Sequence, residues 1–293
     1  MMRIGFIGIG LMGEAMVRRL LDQGFRSITA WNLEPERLKL VVPHGAMAAA
    51  SPAEVAAMSD VVCTCVLDTE AVRSVVLGAQ GVAAAEPLKG RLLIDLSTAD
   101  PDATRQMALE LADRRGMGWV DAPVSGGPEA ARAGRLAIMA GGEVADVERA
   151  RPLLECLGAT VTRMGPVGSG QVTKVINQAI VGTGFVLMAE ALALAEQSGI
   201  DAALLPACLS GGFADSELLR RLYPKMQQRQ FDPPIGYARQ LLKDMQAVRD
   251  FSRARSSTLP VVEAAVRQYE RFVEQGNAMA DSASVLRLYR PES

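Results

Sequence analysis

The chain has 293 residues, and this length predicts two domains, because a single hydrophobic core rarely extends beyond about 250 to 300 residues. Its net charge of −2, with lysines and arginines scattered along the chain, argues against binding to nucleic acid. Four cysteines without a C-x-x-C pair are typical of reduced thiols in a cytoplasmic protein, and the single histidine, His44, argues against His-zinc or Ser-His-Asp chemistry.

Short apolar runs alternate with helical segments through the first half of the chain, a pattern typical of a parallel sheet covered by helices. Two helices have clear start signals, because Ser51-Pro52 and Asp100-Pro101 each place an N-capping side chain before a proline. We therefore predict an α/β fold with a Rossmann-like, doubly wound and mostly parallel sheet. Its strands are expected, in chain order, at Arg3–Ile9, Ser27–Trp31, Val61–Leu67, Arg91–Leu96, Trp119–Ala122, Ala137–Ala140 and Thr160–Met164.

The glycines and proline at 165–170 end the strand signals, and the chain beyond them is predicted to be all helical. We expect a nucleotide-binding domain over residues 1–165 and a helical substrate and oligomerisation domain over 166–293, joined by a long helix from Gln171 to about Ser198. A membrane span is the alternative for this helix, but amides and glycines interrupt it, so we expect no membrane association. Its apolar flanks exceed what one small domain covers, which predicts a homodimer or homotetramer.

The stretch RIGFIGIGLMGEAMVRRLL places Gly8, Gly10 and Gly13 in a G-x-G-x-x-G pattern between a predicted strand and a predicted helix. In that context the first glycine permits a tight turn, the second lets a pyrophosphate approach the backbone, and the third lets helix and strand pack closely. With Leu11 and Met12, which begin the helix, these residues predict a dinucleotide site at a helix N-terminus. A glycine-rich turn without a ligand is the alternative.

The end of the second predicted strand should decide between NAD and NADP, because an acidic residue there binds the ribose hydroxyls whereas arginine accommodates a 2′-phosphate. Asn32 takes this position, Glu34 nearby should repel a phosphate and Arg37 should attract one, so we favour NAD over NADP. Ser97 and Thr98 close another strand and are expected at the carboxyl edge of the sheet, near the nicotinamide. A turn that only starts the next helix explains the last two residues equally well.

The first turns of the long helix contain Lys174, Asn177 and Gln178 in otherwise apolar surroundings. Offsets of three and four residues place the two amides on the face of the lysine, so the three polar groups converge. The helix N-terminus and the apolar surroundings should both lower the pKa of Lys174, which suits a group that exchanges a proton with a substrate during hydride transfer. A lysine whose amine extends from the helix end to solvent is the alternative.

A pair of glycines follows another predicted strand in the stretch DAPVSGG at 121–127. Gly126 and Gly127 leave successive N–H groups open to form an anion-binding concavity, and the Ser125 hydroxyl adds a donor. We predict that this loop binds the carboxylate of a small anionic substrate. A turn that needs glycine only for its backbone geometry is the alternative.

These motifs occur together with IDLSTADP at 94–101, GQVTKVINQ at 170–178, a Lys-Asp pair at 243–244 and DSASVL at 281–286. In this order they resemble the β-hydroxyacid dehydrogenase family, and the resemblance runs along nearly the whole chain. It implies an NAD(P)-dependent oxidoreductase of small β-hydroxy acids or their semialdehydes, of the 3-hydroxyisobutyrate dehydrogenase or tartronate semialdehyde reductase type. The implied roles are acid/base catalysis by Lys174, carboxylate binding by Ser125, Gly126 and Gly127, substrate orientation by Asn177 and Gln178, and closure of the cofactor site by Lys243.

The sequence departs from the family pattern at the expected cofactor edge, where Leu67 is followed by Asp68 and relatives usually have proline. Both residues are expected to border the cofactor. Two other functions remain as alternatives. One is a nucleotide-binding module without turnover, for which the retained lysines would serve no purpose. The other is an imine reductase, although such relatives usually lack a lysine at the position of Lys174.

Overall fold

The computed structural model describes residues 2–290, and its internal contacts divide the chain into two compact units, Met1–Lys174 and Val175–Ser293. The division falls inside one continuous helix, Ser169–Gln197, rather than in the glycine and proline turn that precedes it. The first turns of this helix belong to the first unit because their backbone bonds to the sheet.

Nine strands form one sheet within the described residues: β1 Ile4–Ile7, β2 Ile28–Trp31, β3 Met47–Ala48, β4 Val61–Thr64, β5 Leu92–Asp95, β6 Gly118–Asp121, β7 Val124–Ser125, β8 Leu136–Gly141 and β9 Gly158–Gly165. Their order is β3-β2-β1-β4-β5-β6-β8-β7, with β9 beside β8. The six neighbouring strands β3, β2, β1, β4, β5 and β6 are all parallel. Strand β8 is antiparallel to both β6 and β7. The predicted mostly parallel, Rossmann-like sheet is confirmed, and the chain reverses its winding direction between β1 and β4, where such sheets bind nucleotides.

The helices are α1 Leu11–Asp22, α2 Pro52–Ala57, α3 Thr69–Leu77, α4 Pro101–Arg115, α5 Gly127–Ala133, α6 Val144–Leu157, α7 Ser169–Gln197, α8 Leu205–Cys208, α9 Tyr223–Gln227, α10 Ala238–Arg253 and α11 Pro260–Phe272. Both predicted helix starts are confirmed. The hydroxyl of Ser51 accepts the N–H of Glu54 at 3.1 Å, and the Asp100 carboxylate accepts two N–H groups of the first turn of α4 at 2.7 and 3.0 Å. These caps satisfy backbone donors that the helices leave without partners.

The central strands β1, β4 and β5 are buried on both faces, which explains why they are almost entirely apolar rather than alternating, whereas β3 and most of β9 are exposed. Ile4 and Phe6 of β1 pack into one hydrophobic cluster, while Ile7 packs into a second cluster on the opposite face. The second unit has its own core, in which Met245 of α10 and Val266 of α11 are fully buried. Each unit therefore has a separate set of buried apolar side chains.

One face of α7 in the second unit is apolar and exposed. Ile176, Ile180, Leu187 and Leu194 each have more than half of their surface accessible, and their spacings of four and seven residues place them along one stripe. By length and composition α7 is apolar enough to cross a membrane, but 44% of its most apolar window is buried inside the chain, and such a helix is weak evidence for a span. We refer to these four residues as the α7 stripe.

Candidate active site

The glycine loop between β1 and α1 shows a separate physical reason for each of its three glycines. Gly8 has φ of +100°, and a Cβ there would lie 2.3 Å from the carbonyl oxygen of Cys65. A Cβ on Gly13 would lie 1.9 Å from the carbonyl oxygen of Gly8, so α1 can pack against the loop only with glycine at this position. A Cβ on Gly10 meets no atom within 4 Å. The loop is thus tightly packed at Gly8 and Gly13 but open at Gly10. Gly10 is the position at which a pyrophosphate needs access to the backbone.

The side chain that closes β2 holds this loop in place. The Oδ1 atom of Asn32 accepts the N–H of Ile9 at 2.7 Å, and its Nδ2 atom donates to the carboxylate of Glu34 at 2.8 Å and to the Glu34 carbonyl at 3.0 Å. Asn32 is buried, whereas Leu33 beside it is exposed. One neutral amide therefore connects the glycine loop to Glu34, an acidic side chain three residues beyond the end of β2.

Apart from Lys243, which belongs to the second unit, the other predicted cofactor residues lie in the first unit near the carboxyl ends of the strands. Leu11 is exposed in the first turn of α1 and Met12 follows it, partly buried. Leu67 is exposed after β4, and the Asp68 carboxylate caps α3 by accepting the N–H of Ala71 at 2.9 Å. Where relatives usually have proline, this chain therefore has an aspartate that caps α3.

After β5, Ser97 is buried and Thr98 is partly exposed. The Ser97 hydroxyl accepts the N–H of Val66 at 2.9 Å, which ties the end of β5 to the end of β4. The serine therefore has a structural contact at the strand edge, and Thr98 is the more accessible hydroxyl of the two.

The candidate substrate loop and the lysine lie together. Gly126 and Gly127 have φ of +134° and +75°, values that favour glycine, and a Cβ on Gly127 would meet no atom within 4 Å. Lys174 is only 8% exposed, and its Nζ atom donates to the carbonyl oxygen of Val124 at 2.9 Å. Because Ser125 follows Val124 directly, the amine lies beside the start of this loop. The alternative in which the lysine amine extends to solvent is wrong.

The position of Lys174 within α7 differs from the prediction. With a helix start at Gln171, Lys174 would lie in the first turn, but α7 begins at Ser169, so the lysine is in the second turn. The electrostatic effect of a helix N-terminus falls off within the first turn. Burial, rather than the helix dipole, therefore dominates the environment of this amine.

Two residues that the sequence analysis missed, Asp121 and Gln171, connect α7 to the sheet. The Asp121 carboxylate at the end of β6 accepts the N–H of Gly168 at 2.7 Å and the N–H of Gln171 at 2.9 Å. The Gln171 side chain accepts the N–H of Ala99 at 3.1 Å and donates to the carbonyl oxygen of Ser97 at 2.8 Å. The start of α7 is therefore bonded to two neighbouring strand ends.

Asp95 and Asp121 are register partners at the ends of β5 and β6, and both are fully buried. Burial raises the pKa of Asp95 to about 6, although bonds from Ser97 and Thr64 oppose the shift. Burial likewise raises the pKa of Asp121 to about 7, with a further increase from Asp95 and opposing bonds from the start of α7. The carboxyl edge of the sheet thus holds two adjacent acids that titrate near neutral pH.

In the second unit, the two predicted amides form a chain of hydrogen bonds with the Lys-Asp pair. Asn177 donates to the side-chain oxygen of Gln178 at 2.9 Å, and Gln178 donates to the carboxylate of Asp244 at 2.6 Å. The Nζ atom of Lys243 lies 3.3 Å from the same carboxylate. Asp244 therefore contacts Gln178 and Lys243 directly and reaches Asn177, the third predicted site residue of this unit, through Gln178.

The DSASVL stretch at 281–286 has a structural explanation. The buried Asp281 carboxylate pairs with Lys225 at 2.6 Å, accepts the N–H of Ile235 at 2.8 Å and caps the following 3₁₀ turn through Ala283. Three separate segments of the second unit meet at this one side chain. Asp281 therefore stabilises the fold of the second unit.

Comparison with known families accounts for the same arrangement. Residues 3–165 match a model described as the NAD binding domain of 6-phosphogluconate dehydrogenase, and residues 168–289 match one described as the NAD-binding domain of NADP-dependent 3-hydroxyisobutyrate dehydrogenase. The chain belongs to the β-hydroxyacid dehydrogenase family. It is an oxidoreductase of the 3-hydroxyisobutyrate dehydrogenase type of fold, and its first unit is built for a nicotinamide cofactor.

Individual relatives cover almost the entire chain. A 2-hydroxy-3-oxopropionate reductase of Escherichia coli is 33% identical over 97% of this chain and 96% of its own length, and an NAD-dependent L-serine dehydrogenase of Pseudomonas aeruginosa is 32% identical over 99% of each. The solved structure of 3-hydroxyisobutyrate dehydrogenase from Mycobacterium tuberculosis with L-serine has a TM-score of 0.88 and 30% identity, and the match covers 99% of both chains. These relatives act on different substrates within one family.

Proposed function

We propose that this family member interconverts a small β-hydroxy carboxylate and its semialdehyde, of the 3-hydroxyisobutyrate dehydrogenase or tartronate semialdehyde reductase type. The observation that carries the proposal is the buried Lys174 amine, 2.9 Å from the carbonyl of Val124 and therefore beside the Ser125–Gly127 loop. A carboxylate bound by that loop would place the β-carbon of the substrate two bonds beyond the carboxylate carbon. The hydroxyl on this carbon is then within reach of the amine.

The residues support the following chemistry. In the oxidative direction the neutral Lys174 amine would accept the proton of the substrate hydroxyl while the carbon that bears it gives up its hydride. In the reductive direction the ammonium group returns the proton to the carbonyl oxygen. The Gly126 and Gly127 N–H groups and the Ser125 hydroxyl bind the carboxylate, which fixes the orientation of the reacting carbon. A bound nicotinamide supplies the hydride acceptor or donor.

A spectrophotometric screen tests the proposed function. Formation or loss of NADH and NADPH absorbance is followed with 3-hydroxyisobutyrate and L-serine in the oxidative direction, and with tartronate semialdehyde, glyoxylate and succinic semialdehyde in the reductive direction. We expect turnover with at least one compound whose reacting carbon is β to a carboxylate. Nucleotide binding without turnover of any of them would favour the non-catalytic module. Turnover only with a ketone and an amine would favour an imine reductase.

We further propose that the enzyme prefers NAD to NADP. The support is the contact of Asn32 with Glu34, which holds a carboxylate beside the end of β2, where a 2′-phosphate would lie. A carboxylate fixed near that position repels the phosphate and can accept bonds from ribose hydroxyls. The exposed Leu33 at the same edge supplies no group that binds phosphate.

Replacing Glu34 with glutamine is expected to raise kcat/KM for NADP relative to NAD by about fivefold to tenfold, because one like charge a few ångströms from a phosphate is removed. The ratio is measured from initial rates with each cofactor at saturating substrate. Glu36→Gln is the matched control, since Glu36 is an exposed neighbour that pairs with Lys39. An unchanged ratio in Glu34→Gln, or an equal change in the control, would contradict the assignment.

We propose that the protein forms a homodimer or homotetramer. In either assembly, a second copy of this chain covers the α7 stripe. Four large apolar side chains on one helix face are rarely left in water, and a continuous stripe of this kind is typical of helix-mediated interfaces. Burying them would contribute at about 25 cal/mol per Å² of apolar surface.

Ile180→Glu is expected to convert the wild-type oligomer to monomer in size-exclusion chromatography with light scattering, because a charge would be buried at the interface. Leu109→Glu on α4 is the matched control, since Ile180 and Leu109 are both 66% exposed. A monomeric wild-type protein would refute the proposal, as would an Ile180→Glu variant that keeps the wild-type mass. Flotation of the wild type with lipid vesicles would instead identify the stripe as a membrane contact.

A further inference from the structure

The second turn of α7, which carries Lys174, is held by contacts that the proposed chemistry does not itself use. Gln171 is fully buried one turn before the lysine, and it bonds through three groups. Its N–H donates to Asp121, and its side chain bonds to both the Ser97 carbonyl and the Ala99 N–H. One residue therefore joins the lysine helix to the loop after β5, where the nicotinamide is expected.

The Asp121 carboxylate is held by close packing as well as by its two hydrogen bonds. A Cβ on Gly141 would lie 2.6 Å from one carboxylate oxygen, and a Cβ on Gly170 would lie 2.8 Å from the other. The carboxylate thus fills a space that two glycines leave for it, and neighbouring backbone packs against it on both sides. It cannot change position without moving the start of α7.

The segment that follows β6 holds the helix at a second point. Asp121 closes β6 and accepts the N–H of Gln171 in α7, while the carbonyl oxygen of Val124, three residues later in β7, accepts a hydrogen bond from the Lys174 amine. A lysine side chain has four rotatable bonds, so its amine is placed accurately only if its backbone and its tip are both held. These contacts hold both.

We propose that Asp121 and Gln171 form a positioning clamp that sets where the Lys174 amine stands relative to the cofactor loop and the substrate loop. Neither residue contacts the reacting atoms. The inference rests on the proposed role of Lys174, because a clamp has kinetic consequences only if that amine takes part in the reaction. A displacement of about 1 Å in such a group lowers a rate by about 100-fold.

Two near-isosteric variants test the clamp. Asp121→Asn replaces one acceptor oxygen by an amide that faces a backbone N–H, and Gln171→Met keeps the length of the side chain but removes both of its hydrogen bonds. We expect each to lower kcat by about 10- to 100-fold while KM for the cofactor changes by less than about threefold. The primary isotope effect on kcat with NADH deuterated at the transferred position should increase, because the chemical step becomes slower than product release.

The double variant and a stability control separate positioning from general destabilisation. If the two residues act as one unit, Asp121→Asn with Gln171→Met should be no more than about threefold worse than the poorer single variant. Val76→Ala removes part of a fully buried side chain near the end of α3 and should lower thermal stability without changing kcat or the isotope effect. If Asp121→Asn does not fold, Gln171→Met and the control still decide the question.

Three outcomes would overturn the clamp: folded variants with kcat within twofold of wild type, a loss confined to KM for the cofactor, or an isotope effect that does not change. Lys174→Ala is measured in the same assays. If Lys174→Ala keeps turnover, the proposed function itself fails. If Lys174→Ala is inactive while both clamp variants keep full kcat, only the positioning role of Asp121 and Gln171 is refuted.

Discussion

Replacing Lys174 with alanine is expected to lower kcat by about 10²- to 10⁴-fold, the contribution typical of a general acid or base. The side chain is buried and its amine lies beside the substrate loop, so no solvent-exposed group can take over proton transfer at the same point. The dissociation constant of NADH, measured by fluorescence titration, should stay within about threefold of the wild-type value. Turnover is measured with the best substrate of the screen.

Two further variants make this expectation specific. Lys174→Arg keeps a positive charge but cannot release a proton near neutral pH, so it should be as inactive as alanine. Methylamine added to Lys174→Ala should restore part of the activity, because a small amine can occupy the vacated space and carry the proton. Lys89→Ala, at an exposed lysine, should behave as wild type. Near-normal turnover by Lys174→Ala would refute the assignment of the acid/base.

Replacing Gly13 with alanine is expected to destabilise the first unit by about 3 kcal/mol or more, because the new Cβ would lie 1.9 Å from the backbone oxygen of Gly8. Neither atom is at the end of a flexible side chain, so α1 or the loop would have to move. Cofactor affinity should be lost with the packing.

Gly10→Ala is the matched comparison within the same loop. Its Cβ meets no protein atom within 4 Å, and the φ of −78° suits any residue, so thermal stability should match the wild type. The methyl group would instead project into the space expected for the pyrophosphate, and NADH affinity should fall at least tenfold. Thermal unfolding and fluorescence titration measure the two effects. Equal stability losses in both variants would contradict the separate roles of the two glycines.

Much of the fold follows from local sequence patterns. The central strands β1, β4 and β5 are buried on both faces and are therefore visible in the sequence as apolar runs, and the helices after Ser51 and Asp100 have side-chain caps adjacent in sequence. Strands β3 and β7 have only two residues each, too few to show a period, and their pairing partners alone define them. The start of α7 at Ser169 was missed because its cap, Asp121, is distant in sequence.

Some residues of the candidate site can likewise be found from the sequence, and others cannot. The glycines and Lys174 stand out because their residue types are unusual for their local context. Asp121, Gln171 and Asp244 do not, since each acts through a partner about 50 or more residues away in sequence or through a neighbouring strand. In the stretch DAPVSGG, the local sequence predicts a function for the serine and glycines at its end but none for Asp121 at its start. Contacts formed by tertiary structure leave no periodic signal in one sequence.

The hydrogen bond by which Asn32 holds the glycine loop should not depend on pH. An amide neither gains nor loses a proton in water, so the Ile9 contact persists while Asp95 and Asp121, at the neighbouring strand ends, change charge around neutrality. The Asn32 contact with the Ile9 N–H should therefore be the same on either side of neutral pH, whereas the two hydrogen bonds that Asp121 accepts from the start of α7 should weaken as its carboxylate is protonated.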